Sequence, residues 1–207
     1  MKLLRSIELT LSSLLFVIPL LVVESSSASD PLVSSNITRG SSLSTSSSDS
    51  SPYWLSPSGN IAFGFYRLPC TRCLPNGSDR YVVGIWFVKS SQQTLVWSTN
   101  RNDFLLHKPS SIIFTDEGKL MLRIMPGNKE KPLLPDVPEA ASYAKMHDDG
   151  NLVLYGSSSQ IMWESFDYPS DTILGGQKLR PGIDLISGNY RLSLDQTDGS
   201  VAIYKKS

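Results

Sequence analysis

The chain has 207 residues, 19 acidic against 19 basic side chains, and a hydrophobic share of 40%. This balanced charge excludes a bulk electrostatic field that would draw the protein to nucleic acid or to an anionic lipid surface. The length is sufficient for one domain with its own hydrophobic core and a smaller additional segment.

The N-terminus has the pattern of a secretory signal peptide. Lys2 and Arg5 supply positive charge, residues 14–23 form a short apolar run, and Ser26–Ala28 offer small residues at the cleavage positions. The apolar run is shorter than the roughly 20 residues that a membrane-spanning helix needs. We therefore predict a signal peptide over residues 1–28, with an uncleaved anchor as the alternative, and a secreted chain without a membrane span.

Serine dominates the sequence that follows, from residue 25 to residue 51. Such low-complexity composition predicts a flexible segment over residues 29–40. Two N-glycosylation sequons are present, one at Asn36 and one at Asn76. In a secreted protein both are candidate glycan attachment sites.

The two cysteines, Cys70 and Cys73, have C-x-x-C spacing in a proline-flanked segment. No βαβ pattern accompanies them, which argues against thioredoxin-like redox chemistry, the alternative interpretation. A structural zinc site needs four ligands, and the chain has only two histidines. We favour a local disulfide formed in an oxidising compartment, and we expect no metal and no cofactor.

Beyond residue 41 the pattern is that of an all-β protein. Short runs rich in β-branched and aromatic residues, such as residues 81–87 and 111–114, alternate with Gly, Pro, Asn and Asp. Residues 126–138 contain four prolines and are predicted to form a surface loop. Four segments, at residues 57–63, 115–122, 148–154 and 197–203, share a plan of polar turn, glycine and alternating apolar positions. This repeat predicts stacked or radially arranged β units.

One strand presents a row of side chains at period two, so that they share one face. The row consists of His147, Asp149, Asn151, Val153 and Tyr155. A carboxylate, an amide, an apolar patch and a phenol are the groups that bind sugar hydroxyls and the C–H face of a sugar. The alternate positions, Leu152 and Leu154, are expected in the core. By periodicity alone, an ordinary hairpin strand with its polar face in water is the simpler interpretation.

The row resembles the mannose-binding strand of monocot bulb lectins, Gln-x-Asp-x-Asn-x-Val-x-Tyr, with His147 in place of the glutamine. Residues 163–174 (WESFDYPSDTIL) resemble the segment that closes the bulb-lectin domain of plant S-receptor-like kinases. Residues 95–101 (LVWSTNR) and 56–65 (SPSGNIAFGF) resemble two further segments of that domain. The similarity runs in order from about Leu43 to the C-terminus.

This resemblance implies a β-prism of three four-stranded sheets around a pseudo-threefold axis, with Trp86, Trp97 and Trp163 as candidates for its aromatic core. It implies a lectin domain over residues 41–168 and the start of a second, truncated lectin-like module over residues 169–207. That second module contains another possible carbohydrate row, which keeps the Gln, Asp and Tyr of the pattern. Its positions are Gln196, Asp198, Ser200, Ala202 and Tyr204. The corresponding unit at residues 115–123 has Lys119 and Arg123 in place of the amide and the phenol, so no sugar site is expected there.

The function that the resemblance implies is extracellular recognition of a mannose-like glycan or a glycoprotein, with other receptor ectodomains as further partners. The alternative is a protein-interaction or decoy-receptor module whose sugar sites have degenerated. The kinase glycine-rich and catalytic loops of the resembled receptors do not occur in the sequence. The chain is therefore expected to be non-enzymatic, as a fragment, a truncated product or a soluble relative.

Overall fold

The computed structural model describes residues 35–46, 52–69, 79–90, 93–99, 105–106, 108–125, 127–134, 137 and 139–205. In this part of the chain nearly all regular structure is β, and the one helical element is a 3₁₀ turn at Ser165–Asp167. The strands are β1 (Asn36–Thr38), β2 (Ser42–Ser44), β3 (Tyr53–Leu55), β4 (Ile61–Arg67), β5 (Tyr81–Phe87), β6 (Thr94–Ser98), β7 (Ser110–Phe114), β8 (Leu120–Ile124), β9 (Lys129–Pro132), β10 (Tyr143–Met146), β11 (Leu152–Tyr155), β12 (Ile161–Glu164), β13 (Leu185–Ser187), β14 (Tyr190–Leu194) and β15 (Val201–Lys205).

These strands form three four-stranded antiparallel sheets and one three-stranded sheet. Sheet I has the order β1-β10-β11-β12, sheet II β2-β7-β8-β9, sheet III β3-β4-β5-β6, and sheet IV β13-β14-β15. The all-β prediction and the β-prism architecture of three four-stranded sheets are confirmed.

Sheets I, II and III enclose one hydrophobic core. Each sheet turns alternate residues inward, for example Leu154 of sheet I, Phe114 of sheet II and Phe63 of sheet III, and all three are fully buried in one cluster. Because strand side chains alternate between faces, the opposite face of each sheet is directed away from this core. The described residues of sheet IV are outside the core cluster.

The aromatic core differs from expectation at one tryptophan. Trp97 and Trp163 pack edge to face in the shared core, with ring centroids 6.0 Å apart. Trp86 is buried as well, but it lies on the opposite face of sheet III in a separate cluster with Tyr66 and Ala62. A register shift between Ile85 and Trp86 accompanies this arrangement.

The repeated unit is visible as a repeated turn. Before β4, β8 and β11, the backbone N–H of the glycine donates to the carbonyl three residues earlier, as in the 2.8 Å bond from Gly59 to Ser56. Gly59, Gly118 and Gly150 have positive φ angles of 67°, 74° and 94°, a conformation that L side chains rarely adopt. The turn before β15 is one residue longer, because Gly199 bonds to the carbonyl of Asp195.

Two segments that were predicted to lack regular structure contain strands. Residues 36–38, expected to be flexible, form β1 and pair with β10, and Ile37 of this strand lies in the core. The burial of Ile37 and the pairing of β1 with β10 outweigh the flexibility that the serine-rich composition predicts. Within the predicted surface loop at 126–138, β9 pairs with β8. Pro132 is compatible with this because β9 is an edge strand, where a ladder N–H can be missing.

Candidate functional site

The predicted carbohydrate row lies on the outer face of sheet I, on β11 and the turn before it. Leu152 and Leu154 are fully buried in the core, as the period-two pattern predicts. The cross-strand neighbours of Val153 are Lys145 on β10 and Glu164 on β12. The alternate faces expected from the sequence are therefore present, and the row lies beside two charged residues on neighbouring strands.

The first and last positions of the row contact each other. The Nε2 atom of His147 is 2.9 Å from the hydroxyl oxygen of Tyr155. The Tyr155 ring also stacks on Tyr143, its register partner on β10, with centroids 4.9 Å apart and planes inclined by 17°. The three rings form a continuous aromatic strip along one edge of the candidate site.

Asn151 is held inside the protein. Its side-chain nitrogen donates to Glu164 Oε2 at 2.7 Å, and its Oδ1 accepts from the Ser165 hydroxyl at 3.1 Å and from the Phe166 N–H at 3.2 Å. The residue is 7% exposed. The amide that was expected to bind a sugar therefore anchors β11 to the 3₁₀ turn after β12.

Asp149 is the most available polar group of the row. It is exposed, and its Oδ1 accepts the backbone N–H of Asn151 at 2.9 Å, which closes the turn. No hydrogen bond to its second carboxylate oxygen is found among the described residues. That oxygen is free to accept a proton from a sugar hydroxyl.

Val153 offers little surface for a sugar ring. It is only 2% exposed, although it is not part of the shared core. Directly opposed residues in a sheet have Cβ atoms about 5 Å apart, so Lys145 and Glu164 flank Val153 on both sides. Little of this valine is therefore exposed for a sugar ring to contact.

Electrostatics of the site favour a neutral imidazole. Partial burial lowers the pKa of His147, and the positive charge of Lys145 lowers it further, while Asp149 and Asp148 oppose the shift. Burial raises the pKa of Tyr155, and the neighbouring Tyr143 and Glu164 add to this effect. The His147–Tyr155 pair is therefore neutral at pH 7, with one ring nitrogen as acceptor and one as donor.

The aspartate beside the row has a structural role. Asp148 Oδ1 accepts the backbone N–H of Ser58 at 2.9 Å, which connects the turn before β11 to the turn before β4. The hydrogen bonds from Ser58 lower the pKa of Asp148. This carboxylate fixes the two repeated turns to each other.

The second predicted row, on sheet IV, is differently arranged. Asp198 accepts the backbone N–H of Ser200 at 2.8 Å, as Asp149 does for Asn151. Ala202 and Tyr204 lie on β15, where Arg191 is positioned over the Tyr204 ring at 5.0 Å from its centroid. Gln196 lies in the longer turn, which is closed by Asp195 instead. Ser200, Ala202 and Tyr204 occupy alternate positions just before β15 and along it, and β15 pairs with β14.

The sequence analysis missed Tyr143, Lys145 and Glu164. Tyr143 and Lys145 continue the period-two pattern of His147 backwards along β10, so a longer window would have included them. Glu164 lies in the segment at residues 163–174 that resembles the closing segment of the lectin domain, but it was assigned no role. The predicted disulfide residues Cys70 and Cys73, the sequon at Asn76 and the signal peptide lie outside the described residues.

Comparison with known proteins finds a family model that matches the region containing the row. The family model described as D-mannose binding lectin matches residues 94–193, which include β10, β11 and the polar row between His147 and Tyr155. The chain contains a domain of the bulb-type lectin family. The match begins at β6 of sheet III and extends to β14 of sheet IV, and the row on sheet I lies within it.

Similar full-length proteins are plant receptor kinases by name. The chain is 37% identical over 187 residues to the G-type lectin S-receptor-like serine/threonine-protein kinase LECRK1 of Oryza sativa subsp. japonica, covering 82% of this chain and 22% of that protein. It is 33% identical over 182 residues to the similarly named RLK1 of Arabidopsis thaliana, covering 80% and 21%. The chain thus spans about a fifth of the length of these relatives. Within its described residues, no helix is long and apolar enough to cross a membrane.

Proposed function

We propose that this lectin domain is an extracellular carbohydrate-recognition module that binds a mannose-like glycan or a glycoprotein through the outer face of sheet I. The observation that carries the proposal is the free carboxylate oxygen of Asp149, on the same face as the neutral His147–Tyr155 pair. Together they offer an acceptor, a donor-acceptor pair and an aromatic strip to a polyhydroxylated ligand. Membership of a mannose-binding family supports the choice of sugar.

Secretion and modification belong to the same proposal. A signal peptide over residues 1–28, N-glycans on Asn36 and Asn76, and a disulfide between Cys70 and Cys73 are consistent with an extracellular receptor-type lectin. We place the domain at the cell surface or in the extracellular space, with other receptor ectodomains as candidate partners. Residues 169–207 would be the beginning of a second lectin-like module whose row starts at Gln196.

A second candidate is a protein-interaction or decoy module, and a specific observation favours it. Asn151 is tied to Glu164, Ser165 and Phe166, and Val153 is buried between charged neighbours. Together with the His147–Tyr155 bond, four of the five row positions are therefore bonded or buried within the protein. A sugar that cannot use the Asn151 amide loses hydrogen bonds worth about 1 kcal/mol each, and one that cannot reach Val153 loses an apolar contact.

Isothermal titration with methyl α-mannoside, together with a glycan array, separates the two candidates. Saturable binding that disappears in Asp149→Ala supports carbohydrate recognition by this row. Lack of response on the array, from protein that retains a β-type circular dichroism spectrum, favours the protein-interaction module.

A further inference from the structure

We propose that an N-linked glycan on Asn36 lies over the outer face of sheet I and shields the row that begins at His147 from ligands in solution. This inference rests on the secretion and the sugar row proposed above. It concerns the relation between the modification site and the binding face.

The sequon is located on the strand that borders the candidate site. β1 is the edge strand of sheet I and pairs only with β10 in the described part of the chain. Ile37 points into the core, while Asn36 and Thr38 on either side of it are exposed. Because strand residues alternate between faces, the Asn36 and Thr38 side chains lie on the outer face, together with the row.

The register fixes how close they are. Asn36 is the partner of Lys145 on β10, and Lys145 is the partner of Val153 on β11. Thr38 is likewise aligned with Tyr143 and Tyr155. Neighbouring strands are about 4.8 Å apart, so the Asn36 backbone is roughly 10 Å from that of Val153. A branched N-glycan is bulky and extends over such a distance.

The Asn36 side chain is available for modification. It is exposed, and no hydrogen bond from its amide to another described residue is found. The sequon hydroxyl of Thr38 has only a weak 3.4 Å contact with the Ser41 hydroxyl. A sugar attached to Asn36 would therefore displace no packed group.

Attachment would also make the glycan a competitor. A ligand joined to its site by a short flexible tether has an effective concentration in the millimolar range. Mannose residues of the attached glycan would be present at the row at that effective concentration, independently of how much ligand is in solution. The glycan thus acts both as a steric cover and as an intramolecular ligand for a weak sugar site.

The test uses the full chain secreted from a eukaryotic host. Occupancy of Asn36 is measured by mass spectrometry after enzymatic deglycosylation, which converts a glycosylated Asn to Asp. Shielding is measured by acylation of lysines in the folded protein, comparing Lys145 with Lys119, an exposed lysine on the turn before β8. Wild type, Asn36→Gln, Thr38→Ala and Asn76→Gln are compared, along with wild type deglycosylated while folded.

We expect Asn36 to be occupied and the Lys145 acylation rate to rise at least twofold in Asn36→Gln, in Thr38→Ala and after deglycosylation. Lys119 should not change in any of them, and Asn76→Gln should leave Lys145 as in wild type. An unoccupied Asn36, or equal Lys145 rates with and without the glycan, overturns the inference. Deglycosylated wild type keeps the test decisive if either sequon variant fails to fold.

Binding of methyl α-mannoside to the same samples separates this inference from the proposed function. If Lys145 is protected by the glycan but the unglycosylated protein ignores mannose, the shield stands and the sugar proposal fails. If all samples bind mannose equally and Lys145 is unprotected, the sugar proposal stands and the shield is wrong.

Discussion

The imidazole Nε2 of His147 lies 2.9 Å from the Tyr155 hydroxyl, which joins the first and last positions of the row. The sequence suggested that each of these groups would bind a separate sugar hydroxyl. In the structure they bind each other, so an incoming ligand must either replace this bond or use the remaining lone pair of the tyrosine oxygen. We therefore expect His147, which stands where the resembled lectin row has glutamine, to influence ligand affinity at this site.

His147→Gln should strengthen mannose binding. A glutamine restores the amide of the family row, and it can donate and accept through one planar group. Titration calorimetry with methyl α-mannoside measures the change, and Lys119→Gln on the turn before β8 is the matched control. Unchanged affinity in His147→Gln would show that the internal bonds of Asn151 limit binding instead.

The free energy of unfolding should decline as the pH falls below 6.5, because of His147. Its pKa in the folded protein is lowered from 6.5, chiefly by burial and then by Lys145, against opposing Asp149 and Asp148. In the interval between the folded and unfolded pKa values, the unfolded chain binds more protons, so the free energy of unfolding falls as the pH falls. Stability from this group is complete above about pH 6.5.

Urea unfolding of wild type and His147→Gln at pH 7.5 and pH 5.5 measures this effect. The wild type should lose more stability than the variant between the two pH values. An identical loss in both proteins would assign the pH dependence to other groups.

Asn151→Ala should destabilise the fold more than any other substitution in the row. It leaves the buried Ser165 hydroxyl and Phe166 N–H without their acceptor and Glu164 without its donor. Buried polar groups left unpaired cost about 1–3 kcal/mol each, so a total loss of at least about 2 kcal/mol is expected. Urea denaturation measures it, and a loss comparable to that of Asp149→Ala would contradict the anchoring role.

The β-prism was predicted from the family resemblance. The sequence pattern itself was sufficient to predict the all-β class, the inward direction of Leu152 and Leu154, and the repeated glycine turns. These features depend on local period and on turn chemistry, which act over a few residues. The internal hydrogen bonds of the Asn151 side chain were not predictable in this way. Glu164 and Ser165 are more than ten residues away in sequence, and only strand register brings them to the amide.

The segment after the predicted domain boundary at residue 168 also depends on contacts between residues that are distant in sequence. Trp97 Nε1 donates to the Tyr168 carbonyl at 2.7 Å, and the Ser170 hydroxyl donates to the Val96 carbonyl at 3.2 Å. Leu174 packs against the core, and its Cδ1 atom occupies the space that a side chain at Gly150 would need. Contacts with the three-sheet core therefore continue beyond the boundary expected at residue 168, as far as Leu174 at the end of the segment that resembles the closing segment of the lectin domain.

Leu174→Ala should consequently destabilise the lectin domain. Leu174 is partly buried, so we expect a loss of about 1–2 kcal/mol, below the range for fully buried leucines. Ile173→Ala is the matched control, because Ile173 is 38% exposed. Thermal unfolding followed by circular dichroism distinguishes the two, and equal melting temperatures for both variants would show that Leu174 is not part of the cooperative unit.

Asp149→Ala tests the free carboxylate directly. Removing it should reduce mannose affinity at least tenfold, because a hydrogen bond to a charged group is worth about 1.5–3 kcal/mol and about 1.4 kcal/mol corresponds to one decade. The variant also loses the turn bond to the Asn151 N–H, so a stability loss of about 1 kcal/mol accompanies it. Asp198→Ala is the matched control, since Asp198 makes the equivalent bond to Ser200 on sheet IV. Titration of both variants with methyl α-mannoside assigns binding to one row. Loss of affinity in Asp198→Ala, with Asp149→Ala unaffected, would move the sugar site from sheet I to sheet IV.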